Sequence, residues 1–380
     1  MSKAWPLVPL ASAIQHRKEF IRIDDLANYK RCRVQLHAQG IVLRDTVSGA
    51  EIKTKEQKVC KAGDFLVAEI DAKVGGFGIV PDELDGAIVS SHYFLFRIND
   101  KVLDRRFLDF FIRTQAFCEQ VMAQGSTNYA AIRPDHVLGY KIPLPPLAEQ
   151  RGIVVRIEEV AGKVEWTRGL RQQTLEEAEA LCRSILSHDS EAKPTPMRDL
   201  VRLRSPDVVV QREEIYQFAG VYCFGRGVFR ANKKSGMDFA YQNLTRLKAG
   251  NFVYPKLMAW EGALGVVPPE CDQCVVSTEF PVFEVLEDRV LPEVLDTYFR
   301  TPGVWPELSG ASTGTNVRRR RLNPQDFLNY RMPLPSRATQ ECLRKVRAKV
   351  DGLKKLQSDT AAEIDALLPS ILDKAFKGGL

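Results

Sequence analysis

Asp64 and the tripeptide Asp71-Ala72-Lys73 match a spacing that is typical of metal-dependent nucleases. In such a site two carboxylates hold Mg²⁺, and the lysine acts on the attacking water or on the scissile phosphate. The pattern is short and common, and the related segment in the second half of the chain has Asn251 in place of Asp64. A nuclease that uses Asp64, Asp71 and Lys73 stays open as an alternative, which a metal-dependent cleavage assay would decide.

The cysteines offer a second kind of chemistry. Eight of them are scattered over 380 residues, which is not the pattern of a secreted disulfide framework. Of these, Cys271 and Cys274 have the spacing of metal ligands. A zinc site needs a second pair of ligands, and the nearby sequence supplies neither cysteine nor histidine for it. We therefore expect no metal site.

Basic residues form three groups along the chain. The strongest is the run Arg318 to Arg321, which follows the polar segment 309–316, whose amides and hydroxyls suit phosphate oxygens. A matching polar segment, residues 125–129, has Arg133 nearby. The other two groups are Lys53, Lys55 and Lys58, and Arg226, Arg230, Lys233 and Lys234. A net charge of +6 permits nucleic-acid binding without demonstrating it, and solvated surface loops remain the alternative.

An internal repeat at an offset of about 190 residues organises these groups. The segment Lys61-Ala62-Gly63 recurs as Lys248-Ala249-Gly250, and Ile142-Pro143-Leu144-Pro145 recurs as Met332-Pro333-Leu334-Pro335. Further ordered matches are Pro134 with Pro324 and Gln150 with Gln340. Because several matches keep one order, the chain contains two related domains.

Within each domain, Val-rich and aromatic runs broken by Gly and Asp-Gly turns predict short strands. A helix is expected after them, over 104–122 in the first domain and over 291–307 in the second, where Pro302 is a possible break. The fold class expected is α+β, with a curved sheet in each domain rather than βαβ units.

Two long segments have the apolar spacing of a coiled coil. Between Ile153 and Ile185, ten positions at alternating spacings of four and three include seven apolar residues, and the series from Leu343 to Lys374 does the same. Residues 147–192 carry a net charge of −3 and residues 336–380 carry +3. We therefore expect helices over 148–187 and 338–376 that pair antiparallel and separate the two domains. The expected division is 1–146, 147–192, 193–336 and 337–380.

Bulk properties place the chain among globular proteins. Its hydrophobic fraction is 44% and its charged fraction 27%, and its apolar runs fall short of the roughly 18 residues of a membrane span. The first ten residues do not read as a signal peptide, so a cytoplasmic location without membrane contact is expected.

Several segments together resemble the specificity subunits of type I restriction–modification systems. They are residues 63–73, 76–81 and 84–89, which look like that family's target recognition domain, residues 142–150, which look like the start of its central helix, and residues 371–380, which look like its C-terminal ending. The resemblance covers nearly the whole chain in the family's order of domain, helix, domain and helix. The second copy departs at Pro335-Ser336-Arg337 and at Thr339, which corresponds to Glu149.

The resemblance implies a non-catalytic subunit that reads a bipartite, asymmetric site in double-stranded DNA and supports phage defence. It implies two methyltransferase subunits as partners and, in many systems, restriction subunits. The chain itself would need no cofactor, because S-adenosylmethionine, ATP and Mg²⁺ would belong to those partners. The sequence agrees, since it has neither an Asn-Pro-Pro-Tyr motif nor a Gly-x-x-x-x-Gly-Lys-Ser/Thr phosphate loop.

The basic and polar groups are accordingly the candidate DNA contacts, with arginine expected at guanine and asparagine or glutamine at adenine. The candidates are Lys53, Lys55, Lys73, Ser126, Thr127, Asn128, Tyr129, Arg133, Arg226, Arg230, Lys233, Lys234, Thr315, Asn316, Arg318, Arg319, Arg320 and Arg321. A scaffold that binds only proteins remains a further alternative, and salt-sensitive binding to duplex DNA would distinguish the two.

Overall fold

The structure is a computed structural model that describes residues 5–123, 131–310 and 321–379, with the backbone alone at 309 and 310. It divides into two compact units, Met1–Gly169 with Thr360–Leu380, and Leu170–Asp359. The expected division into four segments stays a prediction. Among the described residues, no helix is both long enough and apolar enough to cross a membrane.

The first unit contains two larger sheets and a short two-stranded one. Its strands are β1 Leu7–Pro9, β2 Ile14–Arg17, β3 Phe20–Arg22, β4 Asn28–Gln35, β5 Gly40–Ser48, β6 Glu56–Val59, β7 Phe65–Ala68, β8 Phe77–Ile79, β9 Ile88–Val89, β10 Tyr93–Ile98 and β11 Lys141–Pro143. The sheet orders are β3-β6-β9-β4-β5, β2-β10-β7-β8 and β1-β11. Pairing is antiparallel except between β4 and β9. A core lies between the two larger sheets, around Leu66, Val80 and Leu95.

Helices cover the other face of the four-stranded sheet in this unit. They are α1 Arg105–Phe111, α2 Gln115–Met122, α3 Pro134–Gly139, the first part of α4 Leu147–Ser187, and α9 Ala361–Phe376. Ile153 and Ile157 of α4 and Leu372 of α9 belong to one buried cluster with Phe65 and Phe96 of the sheet. Each helix therefore buries its apolar stripe against this domain, and the cluster unites residues that are far apart in the sequence.

The second unit repeats this topology. Its strands are β12 Lys193–Pro196, β13 Val201–Leu203, β14 Val208–Val209, β15 Ile215–Tyr222, β16 Gly227–Ser235, β17 Asn243–Arg246, β18 Phe252–Val253, β19 Gly265–Val266, β20 Val275–Ser277, β21 Val282–Val285 and β22 Arg331–Leu334. The sheet orders are β14-β17-β20-β15-β16, β13-β21-β18-β19 and β12-β22. Strand for strand these match the first unit, which confirms the α+β fold with two pseudo-symmetric domains.

Helices of the second unit are α5 Pro292–Phe299, α6 Trp305–Gly310, α7 Pro324–Asn329, α8 Arg337–Asp359 and the second part of α4. Here α4 and α8 run antiparallel, because Arg171 of α4 meets Gln357 while Glu179, further along α4, meets Lys354 and Arg347. The predicted antiparallel pairing of long helices is therefore confirmed within this unit. In the first unit, Arg168 of α4 pairs with Asp365 of α9 at 2.5 Å.

Three of the expected helices differ in detail. The helix predicted over 104–122 is two helices, because Thr114 caps a new start by accepting from the Phe117 amide at 3.3 Å. The helix predicted over 291–307 breaks before Pro302, as the sequence indicated. The C-terminal helix predicted over 338–376 is interrupted at Thr360, after the run Ser358-Asp359, whose short polar side chains compete with helical hydrogen bonds.

The shared glutamines attach the long helices to their domains. In the first unit the buried Gln150 accepts from the Asp104 amide at 2.8 Å and donates to the Pro145 carbonyl at 2.8 Å. In the second, the buried Gln340 accepts from the Leu291 amide at 3.0 Å and donates to the Pro335 carbonyl at 3.0 Å. These bonds satisfy backbone groups at the junction and fix where each helix leaves its sheet.

Candidate nucleic-acid interface

One face of the five-stranded sheet in the first domain contains a basic concavity. The first hairpin, residues 28–48, combines β4 and β5, and β5 lies at the sheet edge. Arg31, Arg33 and Arg44 of this hairpin line a concavity of about 390 Å³ together with Lys53. Glu51 is the acidic residue in the same lining, and its carboxylate also accepts from the Ser48 amide at 3.3 Å. The surface therefore has a cationic surplus that suits phosphate oxygens.

Arg31 is held in a fixed orientation inside this concavity. Its Nε and Nη2 atoms each lie 2.7 Å from a different carboxylate oxygen of Asp45. The hydrogen bond to Asp45 raises the pKa of Arg31, and the guanidinium lowers the pKa of Asp45 in return. The pair lies where the register of the hairpin shifts between Arg31 and Cys32. A bulge of this kind redirects the side chains beside it.

The second hairpin, residues 215–235, combines β15 and β16 and presents its own cations. Arg226, Arg230, Lys233 and Lys234 are all exposed. The Arg226 guanidinium lies 4.7 Å from the ring centroid of Tyr222, and Nη2 of Arg230 donates to Gln217 at 3.4 Å. Within the described part of the chain, none of these four cations forms an ion pair with a carboxylate. Their charge is available to an anionic partner.

The two hairpins share their frame and differ in their cations. The strands have the same lengths at an offset of 187, because 28–35 corresponds to 215–222 and 40–48 to 227–235, and both hairpins contain a bulge at the same level. None of the cations coincides in this alignment. The corresponding pairs are Lys30 with Gln217, Arg31 with Phe218, Arg33 with Gly220, Arg44 with Ala231, Gln39 with Arg226, Leu43 with Arg230, Thr46 with Lys233 and Val47 with Lys234.

Two lysines that the sequence grouped with Lys53 are engaged within the domain. Lys55 pairs with Asp25 and donates to the Gly49 carbonyl at 2.9 Å. Lys58 is buried, where it donates to the carbonyls of Ser91 and Tyr93 at 3.2 and 2.8 Å. Burial lowers the pKa of Lys58. Of this group, Lys53 is the one exposed in the basic concavity.

The remaining candidates are dispersed. Lys73 lies half-buried in the short turn Asp71–Val74, and Arg133 is exposed directly before α3. Arg321 pairs with Glu279. The other predicted contacts lie outside the described residues, and they are Ser126, Thr127, Asn128, Tyr129, Thr315, Asn316, Arg318, Arg319 and Arg320.

Asp64 is a structural residue, which contradicts the metal-ligand role in the nuclease alternative. It is 4% exposed and its carboxylate pairs with Arg17 and accepts from the Lys61 amide at 3.0 Å. In the second domain Asn251 accepts from Arg204 at 2.8 Å and from the Lys248 amide at 3.2 Å. In both domains a buried side-chain oxygen at this position accepts from an arginine and from a backbone amide, and the Asn251 amide shows that this acceptor can be neutral. Among the described residues, no cluster of three or more His, Cys, Asp or Glu side chains could hold a metal.

The spaced cysteine pair is also buried. Cys271 and Cys274 belong to a core cluster with Leu247 and Val276. Burial raises the pKa of Cys271 to about 11 and raises that of Cys274 as well. Both side chains are therefore thiols at neutral pH, and their spacing serves packing around a turn.

Sequence reasoning missed Arg31, Arg33 and Arg44. They are dispersed over two strands instead of forming a run, so no local motif marks them. The available signal was the segment Lys30-Arg31-Cys32-Arg33, in which Arg33 is exposed between the buried Cys32 and Val34.

The chain is similar to known proteins of one kind. Residues 15–177 match the family model described as the type I restriction modification DNA specificity domain. The specificity subunit of the type I restriction enzyme MjaVIII from Methanocaldococcus jannaschii is 26% identical over 179 residues, which span 44% of this chain and 42% of that relative.

Two solved structures share the fold. An HsdS subunit from Thermoanaerobacter tengcongensis matches with a TM-score of 0.55 and 22% identity, over 99% of this chain and 97% of that one. A chain from a study of complex assembly and conformational transition of the type I restriction–modification system matches with a TM-score of 0.68 and 22% identity, over the full length of both.

Proposed function

We propose that this chain, whose residues 15–177 match the type I restriction modification DNA specificity domain, reads a bipartite site in duplex DNA. The proposal rests on a contrast between the two hairpins: their strands correspond in length and order, whereas their cationic side chains stand at different positions. The strand orders match one for one, while none of the hairpin cations falls at a shared position. Shared framework residues position a domain, and divergent exposed residues decide what it reads. Two domains of this kind read two different half-sites.

The hairpins are suited to this task by their dimensions and charge. A two-stranded β-ribbon fits the major groove of B-form DNA, where each base pair presents a distinct pattern of donors and acceptors. Each hairpin lies at the edge of its sheet and carries exposed arginines. In this proposal the length of the long helices sets the number of unread base pairs between the half-sites.

Chemistry on the DNA belongs to partners in this proposal. Two methyltransferase subunits bind the chain and supply the S-adenosylmethionine site, and restriction subunits that use ATP and Mg²⁺ join them in a system that cleaves. The chain contributes sequence recognition and no catalytic group. The burial of Asp64 against Arg17 supports this, because it removes one of the carboxylates that a nuclease would need.

Binding to a pool of random duplex DNA tests the proposal, with the bound fraction sequenced and the affinity measured from 50 to 200 mM salt. We expect two separated, unlike half-sequences with a constant gap, and an affinity that falls steeply with salt because phosphate contacts release counterions. Absence of any selected sequence, or binding that salt does not weaken, would leave a protein-binding scaffold as the better description. Comparison of the methylated bases in cells with and without the gene gives an independent readout of the same site.

A further inference from the structure

We infer that Arg31 is a specificity-determining residue of the first domain, which reads a guanine in its half-site while Asp45 positions it. The inference rests on the proposed function and assigns the base-reading role to one side chain in the concavity. Three observations support it: Arg31 is held by Asp45, other cations surround it, and a different residue replaces it in the second domain.

A bidentate pair with Asp45 distinguishes Arg31 from the other cations of the concavity, of which Arg44 lies 3.6 Å from one oxygen of the same carboxylate. Both contacts to Asp45, at Nε and Nη2, are 2.7 Å long, so the plane of the guanidinium is set before any ligand arrives. Nη1 and one hydrogen of Nη2 are not used by this pair and can donate together to two acceptors. Guanine presents two such acceptors, O6 and N7, on its major-groove edge. A base-reading residue needs this kind of preorganisation, because its geometry must be accurate to a fraction of an ångström.

The surroundings of Arg31 supply a charge pattern that favours DNA as the occupant. Four cations, Arg31, Arg33, Arg44 and Lys53, line the concavity. The acids at this surface are Glu51 in the lining and Asp45, which pairs with Arg31 and with Arg44, so a surplus of two positive charges remains. Arg33 and Lys53 are exposed, and Arg44 is 59% exposed. Exposed cations around a fixed one suit a duplex whose phosphates flank the base that is read.

The second domain replaces Arg31 on the same sheet face. Phe218 stands at its position and Asn232 at that of Asp45. The ring of Phe218 lies 5.2 Å from that of Phe239, and the Lys234 ammonium lies 5.8 Å from the Phe218 ring centroid. This face therefore has the paired arginine in the first copy of the repeat and lacks it in the second. A residue that served the common fold would be expected in both copies, whereas a residue that reads sequence is expected to differ.

The test uses the full-length chain and sequence selection from a random pool of duplex DNA, with Arg31→Ala, Arg31→Lys and Asp45→Asn. We expect Arg31→Ala to abolish a guanine preference of about 5- to 150-fold at one position of one half-site, because that is the usual discrimination of a bidentate contact. Arg31→Lys keeps the charge and loses the planar fork, so it should lose the same preference while the affinity for DNA of unrelated sequence changes little. Asp45→Asn should weaken that preference partially and leave the other positions intact.

Matched controls separate reading from general attraction. Lys53→Ala in the same concavity should weaken binding to all sequences and reduce the log–log salt slope by about 0.9 for one phosphate contact. Arg230→Ala in the second hairpin should leave the first half-site unaffected.

The inference is overturned if Arg31→Ala and Arg31→Lys keep the complete sequence preference, whether or not affinity falls. A wild-type chain that selects no sequence would instead count against the proposed function. Near-ultraviolet circular dichroism of the Arg31→Lys variant tests whether the fold is retained.

Discussion

Nη1 of Arg347 lies 2.7 Å from Oε2 of Glu179, and this ion pair joins α8 to α4 inside the second unit. Arg347 is 6% exposed and also reaches Asp296 of α5 at 3.4 Å, while Glu179 binds Lys354 at 2.6 Å. At the repeat offset of 190 the corresponding residues are Ile157, which is fully buried, and Pro369. The first unit therefore packs its helices through apolar contacts where the second uses an ionic network.

Removal of Arg347 should destabilise the second unit selectively. Arg347→Met leaves the Glu179 and Asp296 carboxylates without their buried partner, and we expect a loss of about 3 kcal/mol in its free energy of unfolding. Chemical denaturation followed by circular dichroism measures this. Arg168→Met is the matched control and should cost much less, because Arg168 is 46% exposed in its pair with Asp365 and solvent screens that pair. Equal losses for both variants would contradict the importance of burial.

The same network predicts a pH dependence. Burial alone would raise the pKa of Glu179, but Lys354 and Arg347 hold it below the ordinary value of 4.5. Because the folded pKa is the lower one, the stabilisation is fully present above pH 4.5 and is lost as pH falls through the folded value. The difference in melting temperature between the wild type and Glu179→Gln should be constant from pH 6 to 8 and shrink below about pH 4.5. A difference that grows towards acid would be the wrong sign.

Two substitutions of Asp64 should separate a structural role from a catalytic one. Asp64→Asn imitates Asn251 of the second domain, so we expect at most about 1 kcal/mol of destabilisation. Asp64→Leu removes the buried acceptor of Arg17, which then keeps only the exposed Glu19 at 2.6 Å, and should cost about 3 kcal/mol. Thermal denaturation measures both. Mg²⁺-dependent DNA cleavage by the wild type that both variants abolish would instead revive the nuclease alternative.

The arginine run is expected to bind phosphates. Replacing Arg318, Arg319 and Arg320 with alanine should weaken binding to all DNA sequences and reduce the log–log salt slope by up to about 3, at roughly 0.9 per phosphate. Arg321→Ala should change the slope less, because Arg321 already pairs with Glu279. Fluorescence anisotropy at several salt concentrations measures the slope. An unchanged slope in the triple variant would assign these arginines to the fold or to a protein partner.

Helix length should set the gap between the half-sites. Deleting residues 163–169 together with 364–370 removes seven residues from each of two paired helices, which keeps the apolar seam in register. At 1.5 Å per residue the helices shorten by about 10 Å, so we expect a gap narrower by about three base pairs. Selection from random duplex DNA reads out the gap and the half-sequences together. Half-sequences that change with helix length would contradict this role.

Much of the architecture was present in the sequence because its signals are local. The repeated Lys-Ala-Gly segments, the Pro-Leu-Pro exits and the alternating spacing from Ile153 to Ile185 each lie within one stretch of chain. They predicted two related α+β domains and two long helices. The matching sheet orders confirm the domains, while the second long helix is divided at Thr360. The glutamines at 150 and 340 were visible as a match, although their bonds to Asp104 and Leu291 were not.

The tertiary structure alone decided which residues that are distant in the sequence contact each other. The local pattern suggested a metal-ligand role for Asp64 because it could not reveal the ion pair with Arg17, which is 47 residues away in the sequence. The contacts of Arg31 with Asp45, and of both with the concavity that contains Lys53, depend on how β4, β5 and β6 pair. The apolar seams showed that each long helix needs a partner. Only packing decided that α9 completes the first unit and α8 the second, since apolar stripes specify burial and not the identity of the surface that buries them.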